Sequence, residues 1–236
     1  MKAARFVFVL AVLAALLLLI AGPGTRLEWW SFRTGFTVMR WAAYLGLGAA
    51  GLALLGLLVP RTRRAQGGLV LAALAIAAIV AWVPWNGLRQ ARSLPPIHDI
   101  STDTLDPPAF VAVLPLRADA PNSAEHAGEA IAVQQRAGYP ELRSLPLDLP
   151  ADAAFARALQ AAEQMGWEIV AADPGNGRIE ATDTTFWFGF KDDVVVRVRP
   201  EGEGSRIDVR SVSRVGGSDV GANAARIRAY LRRLQR

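Results

Sequence analysis

Residues 210–231, RSVSRVGGSDVGANAARIRAYL, gather the side chains best suited to chemistry. The stretch reads as the end of a strand, a glycine-rich turn and a capped helix. Arg206, Arg210 and Arg214 share one parity of that strand, opposite Ile207 and Val209. Alternation then sets their side chains in a row at intervals of about 7 Å, on the face turned away from the apolar one. Arg226 follows on the helix. Guanidinium groups recognise anions through forked hydrogen bonds. Arg206, Arg210, Arg214 and Arg226, with Asp219 and Asn223 beside them, are therefore the candidates for binding an anion or a partner. The competing assignment pairs these arginines with nearby carboxylates such as Asp208, Asp183 or Asp192.

Other chemistries find less support. The turn GGSDVG at 216–221 has the glycines of a phosphate loop but lacks the Gly-Lys-Ser/Thr ending. Asp219 would repel a phosphate and is better suited to capping the following helix. The chain has no cysteine and no G-x-S-x-G, and no histidine lies near Ser211, Ser213 or Ser218. His98 is close to Asp99, Asp103 and Asp106, but the only other histidine, His126, lies in an unpatterned stretch, so neither a metal site nor a cofactor is expected. The alternative to a binding role is a membrane-bound, hydrolase-like enzyme with an Asp/Arg site near Asp219.

The elements that must position these residues divide the chain in two. The net charge of +5 comes from residues 1–85, where eight Lys/Arg face Glu28 alone. Residues 86–236 hold 18 Lys/Arg against 20 Asp/Glu, so nucleic acid is not an expected partner. Within that part, residues 86–190 are acidic (7 basic, 14 acidic) and residues 191–236 basic (11 against 6). The first 85 residues carry three apolar runs that predict transmembrane helices at about 4–22, 41–59 and 68–84. The first is expected to remain uncleaved. Arg61, Arg63 and Arg64 separate the second and third spans, which puts that loop and the N-terminus in the cytoplasm and the rest outside. No span has a charged residue at its centre, which argues against transport. Ala42, Gly46 and Ala50, with Ala49 and Ala53, form a small-residue ladder that suits packing within the bundle or homo-oligomers through the second helix.

Residues 86–236 are expected to form one domain outside the membrane. Paired prolines at 95–96 and 107–108 predict an extended strap over 86–110. Residues 109–149 are hard to read, with AFVAVLPL a candidate strand and GEAIAVQQRAG a candidate short helix. The core, 151–236, is clearer. A helix with Phe155, Ala158, Leu159, Ala162 and Met165 on one face ends at Gly166. Four strands joined by short turns follow: WEIVAAD, RIEATDTTFWFGF, DDVVVRVRP and SRIDVRSVSR. A last helix presents Val220, Ala224, Ile227, Leu231 and Leu234. This order predicts a two-layer α+β domain, an antiparallel sheet of four or more strands with two helices on one face. The aromatic run Phe186–Trp187–Phe188, with Phe190, is expected to divide between core and an exposed edge that dips into a membrane or meets a partner.

The segments PPIHDISTDTLDPPAF, GYPEL, FGFKDDVVVRVRP and RSVSRVGGSDVGANAARIRAYL make the chain similar, over about residues 93–234, to the bacterial domain-of-unknown-function family 1499. The resemblance implies an envelope domain behind a hydrophobic N-terminal segment or lipid anchor, and it brings no activity and no catalytic residues. Some members carry a cysteine after an asparagine; the corresponding PNSAEHAGE has none. The expectation is thus a multi-pass protein of the bacterial inner membrane with a periplasmic domain. That domain would bind or support an envelope protein or an anionic lipid, in contact with membrane lipids.

Overall fold

The computed structural model describes residues 2–236 and divides into two compact units. One comprises Met1–Gln90 together with Phe186–Gly189, the other Ala91–Thr185 and Phe190–Arg236.

The first unit is built on three helices long and apolar enough to cross a membrane: α1 (Lys2–Arg26), α2 (Phe32–Leu58) and α3 (Pro60–Ser93). Lipid is as apolar as leucine, so such helices associate through close packing of small residues. The buried positions of α1, Ala4, Val7, Ala11, Ala14, Leu18 and Ala21, alternate in steps of three and four. On α2 the ladder residues Ala42, Gly46, Ala49 and Ala53 are buried within the bundle. A methyl group at Gly46 would lie 3.1 Å from Val80 Cγ1 of α3. The helices run beyond the expected spans. α2 begins at Phe32 because Ser31 caps it, accepting from Thr34 N. Pro60 opens α3 at a position that suits proline, so the Arg61–Arg64 stretch is helical, with a kink at Gln66. α3 also passes Pro84 and reaches Ser93, where the pair Pro95–Pro96 stops it; the extended strap therefore starts eight residues later than expected. Trp187 packs with the cluster of Ala14, Leu18, Ala42 and Val80, and Phe188 lies 5.1 Å from Phe36 between ring centroids.

The second unit is the expected α+β domain, an antiparallel sheet with two helices on one face. Its strands are β1 (Asp99–Ser101), β2 (Leu145–Leu147), β3 (Glu168–Asp173), β4 (Arg178–Thr184), β5 (Lys191–Glu201) and β6 (Gly204–Ser213), in the order β1-β6-β5-β4-β3. β6 has β5 along one side; its other side takes β2 at Ser205–Ile207 and β1 at Arg210–Val212. Between β1 and β3 come α4 (Glu129–Gly138) and α5 (Ala151–Gln164), and α6 (Ala222–Leu234) closes the chain. The candidate helix at 128–138 is therefore present. AFVAVLPL is not a strand: Val113 and Phe110 anchor it to a core by side chains, and Pro115 opens a single 3-10 turn. β4 ends at Thr184, so the aromatic run is the connection to β5 rather than strand.

The core lies between α5, α6 and the sheet. Val194, Val196 and Val198 of β5 and Ile207 and Val209 of β6 meet Phe155, Ala158 and Ala162 of α5 and Ala224 and Ile227 of α6. Tyr230, outside the apolar stripe expected for α6, is fully buried: it stacks on Trp167 at 4.9 Å and donates to Ala158 O at 2.7 Å. Burial holds its hydroxyl well above the usual range. The opposite face of the sheet is covered by irregular chain from residues 102–128, where Phe110 and Val113 pack on Val195 and Val212.

Gly177 and Gly202 both adopt positive φ, 60° and 61°. A Cβ at Gly177 would strike the carbonyl oxygen of Val198, whereas one at Gly202 meets open space. Gly202→Ala should lower stability by about 1 kcal/mol and Gly177→Ala by clearly more, about 2–3 kcal/mol. Thermal unfolding of the detergent-solubilised chain, followed by near-ultraviolet circular dichroism, checks the order; equal losses would contradict it.

Candidate functional site

The arginine row exists, and its register follows from β6. Arg206 pairs with Arg199 across the β5–β6 ladder, Arg210 with Val195, and Arg214 directly follows the strand. All three face the irregular segment rather than the helices. That segment closes over them.

Arg210 is 2 % exposed and binds Asp99, itself 4 % exposed, through two parallel bonds: Nε to Oδ1 at 2.9 Å and Nη2 to Oδ2 at 2.8 Å. It also donates to the carbonyls of Pro108 (3.2 Å) and Ala124 (2.9 Å) and lies 5.2 Å from the centre of the Phe110 ring. Arg214 grips Asp193 with Nε and Nη2, at 2.9 and 2.8 Å, and donates to Leu116 O at 2.7 Å. Arg117, from the covering segment, reaches the same Asp193 at 3.3 Å. At Arg210 the row is occupied from within the fold: the anion it binds is Asp99, supplied by β1. The cause is geometric, because the proline-rich segment after Ser101 crosses the face that alternation turned away from the helices.

Lower on the sheet, Arg197, Arg199 and Arg206 surround Asp103, Asp106 and Asp208. The facing of Arg199 and Arg206 would be repulsive alone. Asp208, directly opposite Arg197, and Asp103 lie between them and offset it. Burial pushes the Asp208 carboxyl up, but the Ser144 hydroxyl at 2.5 Å, the Arg197 hydrogen bonds and the charges of Arg197 and Arg206 outweigh it and hold it below the usual range. Glu180, fully buried on β4, accepts from the amides of Val111 and Val113 at 3.0 Å.

The remaining candidates lie on the helix side. Arg226 donates to Asp183 and Asp192, both at 2.6 Å, and to Ser211 at 3.1 Å. Asn223 accepts from Ser211 and donates to His98 O (2.9 Å) and Ser213 Oγ (3.0 Å). The N-cap position of α6 is Gly221; Asp219, two residues earlier, takes the amides of Gly221 (2.8 Å) and Asn223 (2.7 Å) on separate oxygens and so braces the helix start from outside it. Burial raises its carboxyl; those two amides oppose the rise, and Asp192 adds to it. The structure therefore gathers Arg226 and Asn223, with Asp219 at the helix start, on one side of the sheet and Arg206, Arg210 and Arg214 on the other. It does not form one site from all six.

A cavity of about 250 Å³ opens beside the Arg210 pair, lined by His98, Asp99, Asn122, Ser123 and Glu125 among others. Asn122 is held by donating to Ser213 O and Gly216 O, both at 2.9 Å. His126 Nδ1 accepts from Gly128 N, and burial lowers the imidazole below its usual range. Among the described residues no three His, Asp or Glu side chains are grouped to hold a metal ion. The sequence reading missed Glu180, Asp193 and Arg117. The charge asymmetry held part of the signal, since Asp99, Asp103 and Asp183 of the 86–190 half bind arginines of the 191–236 half, whereas Asp192, Asp193 and Asp208 serve arginines of their own half.

A family model described as "Protein of unknown function (DUF1499)" matches residues 99–234. No curated protein matches the chain.

Two outcomes follow from the charge layer. Arg210→Met strips Asp99 and two carbonyls of their partner and should cost about 3–5 kcal/mol, more than Asp99→Asn, which keeps an acceptor in place. Urea unfolding of both variants measures the difference, and a cost for Arg210→Met below that of Asp99→Asn would refute it. Asp208, with its folded value depressed, adds stability at pH above its unfolded value of about 3.9, and this is lost as pH falls through the folded value. Asp208→Asn should flatten that acid-side decline in a pH series of thermal melts; a decline as steep as in the parent chain would show that other carboxylates govern it.

Proposed function

We propose, for a chain that belongs to the DUF1499 family, that it is a membrane-anchored binding module of the bacterial cell envelope, holding a partner protein through a rigid periplasmic domain. The observation that carries this reading is the internal use of the polar groups. Both oxygens of Asp219 take backbone amides, Asn223 is held by Ser211, Ser213 and His98 O, and Arg210 is enclosed by Asp99 and two carbonyls. Such networks fix shape. A domain held this way offers its outer surface, and its three apolar helices fit a membrane anchor.

The orientation rests on Lys2, Arg5, Arg61, Arg63 and Arg64 lying at the ends taken as cytoplasmic. Arg26, Arg33, Arg40, Arg89 and Arg92 flank the opposite ends, so the number of basic residues is equal on the two sides, and the compact Arg61–Arg64 cluster carries the orientation. The second reading, a hydrolase-like enzyme with an Asp/Arg site near Asp219, has one observation in favour: the raised Asp219 carboxyl, suited to holding a proton. Its two oxygens are already engaged by the helix start, which favours the bracing role.

Two measurements test the proposal together. A reporter active only outside the cytoplasm, fused after Arg236, should be active in intact cells; activity confined to the cytoplasm overturns the orientation. Photo-crosslinking in native membranes should capture a discrete protein with the parent chain and with Asp219→Asn alike. A capture lost with Asp219→Asn while the fold is kept would return Asp219 to the functional site.

A further inference from the structure

We infer that the groove between α5 and α6 is the docking surface for an acidic amphipathic helix of a partner protein; this rests on the binding-module reading and names the partner's chemistry. The groove encloses about 860 Å³. Ala153, Ala156, Arg157, Gln160, Ala161 and Gln164 line it along one continuous stripe of α5, and Arg233 and Arg236 stand on the other side. From Ala153 to Gln164 the helix rises about 16 Å, three turns of contact. Alanines at 153 and 156 leave room for a third backbone to come close, as helix-in-groove recognition requires. No acidic side chain lines the groove.

Its charge is unusual for this domain. Ten arginines of the second unit have a carboxylate partner. Of the six that have none among the described residues, Arg157, Arg232, Arg233 and Arg236 belong to α5 or to the end of α6 and beyond. Arg233 donates to Gln164 Oε1 at 2.8 Å, which turns the Gln164 amide into a second donor edge. Arg157 and Arg236 have no side-chain partner among the described residues. Unpaired guanidinium groups beside a small-residue stripe complement glutamate or aspartate flanking a helix's apolar face. An anionic lipid headgroup would engage the guanidinium groups but leave the alanine stripe uncovered.

The absence of cysteine lets Gln160→Cys carry one environment-sensitive fluorophore in the full chain, reconstituted in nanodiscs. The probe is a synthetic helical peptide with alanine along one face and glutamates flanking it. Saturable binding is expected, weakened about tenfold or more by Arg157→Glu with Arg233→Glu and kept within a few-fold by Arg157→Lys with Arg233→Lys. Equal affinity of the reversed and parent chains, equal binding of a scrambled peptide of the same composition, or a response to phosphatidylglycerol vesicles but not to the peptide would each overturn the inference. Circular dichroism establishes that the variants, altered at residues that are not buried, keep their fold. Native-membrane crosslinks that survive the charge reversal would remove this groove from the binding reading and leave that reading intact.

Discussion

A chain segment buried without a ladder must find partners for its amides and carbonyls, and this requirement governs the second unit. Residues 102–128 cross a sheet face with little regular structure. An unpaired backbone group there costs about 1–3 kcal/mol. The sheet meets the demand with charged side chains. Glu180 takes the amides of Val111 and Val113, while arginines donate to the carbonyls of Asp106, Pro108, Leu116 and Ala124. Each of these side chains must itself be neutralised, which calls for Asp99, Asp103, Asp193 and Asp208. The density of ion pairs on this face of the sheet follows from that chain of needs.

This solution stabilises less than it specifies. Burying charges in pairs returns little net free energy compared with apolar packing, but removing one member is severe. The apolar work is done elsewhere, between α5, α6 and the valine side of β5. The two faces of the sheet therefore divide the labour: one supplies burial, the other fixes where an irregular segment lies. Phe110 joins both roles, its ring packing on Val195 and Val212 while the guanidinium carbons of Arg117 and Arg210 lie 5.7 and 5.2 Å from its centre.

What could be read from the sequence was what local pattern determines. Alternation at 194–199 assigned the valines and arginines of β5 to opposite faces, the stripe in 151–164 gave α5, and the parity of Arg206, Arg210 and Arg214 placed them together. That Asp219 serves the start of α6 was legible because the interaction is local, although Gly221 takes the cap position itself. The partners of the arginines were not, since Asp99 and Arg210 are 111 residues apart and neither advertises the other. Tyr230 escaped because its partners, Trp167 and Ala158 O, are more than 60 residues away in the chain. The first strand expected after residue 109 failed for a related reason: its apolar residues are real, but they serve as single anchors rather than as an alternating face.

The side chain of Gln135 completes β1 in a way that reaches beyond this one fold. Its amide group accepts from Ser101 N at 2.9 Å and donates to Ser101 O at 2.6 Å, the same pair of bonds a neighbouring strand would make. The β1 part of that margin is therefore closed to another chain seeking to extend it, and Pro146 in the middle of the three-residue β2 removes a donor from the rest. The other margin is β3, where a register shift between Ile169 and Ala171 and the charges of Glu168 and Asp173 disfavour addition. A protein confined to the two dimensions of a membrane meets its own copies at high local concentration. Sealed margins keep such encounters from becoming irreversible strand exchange.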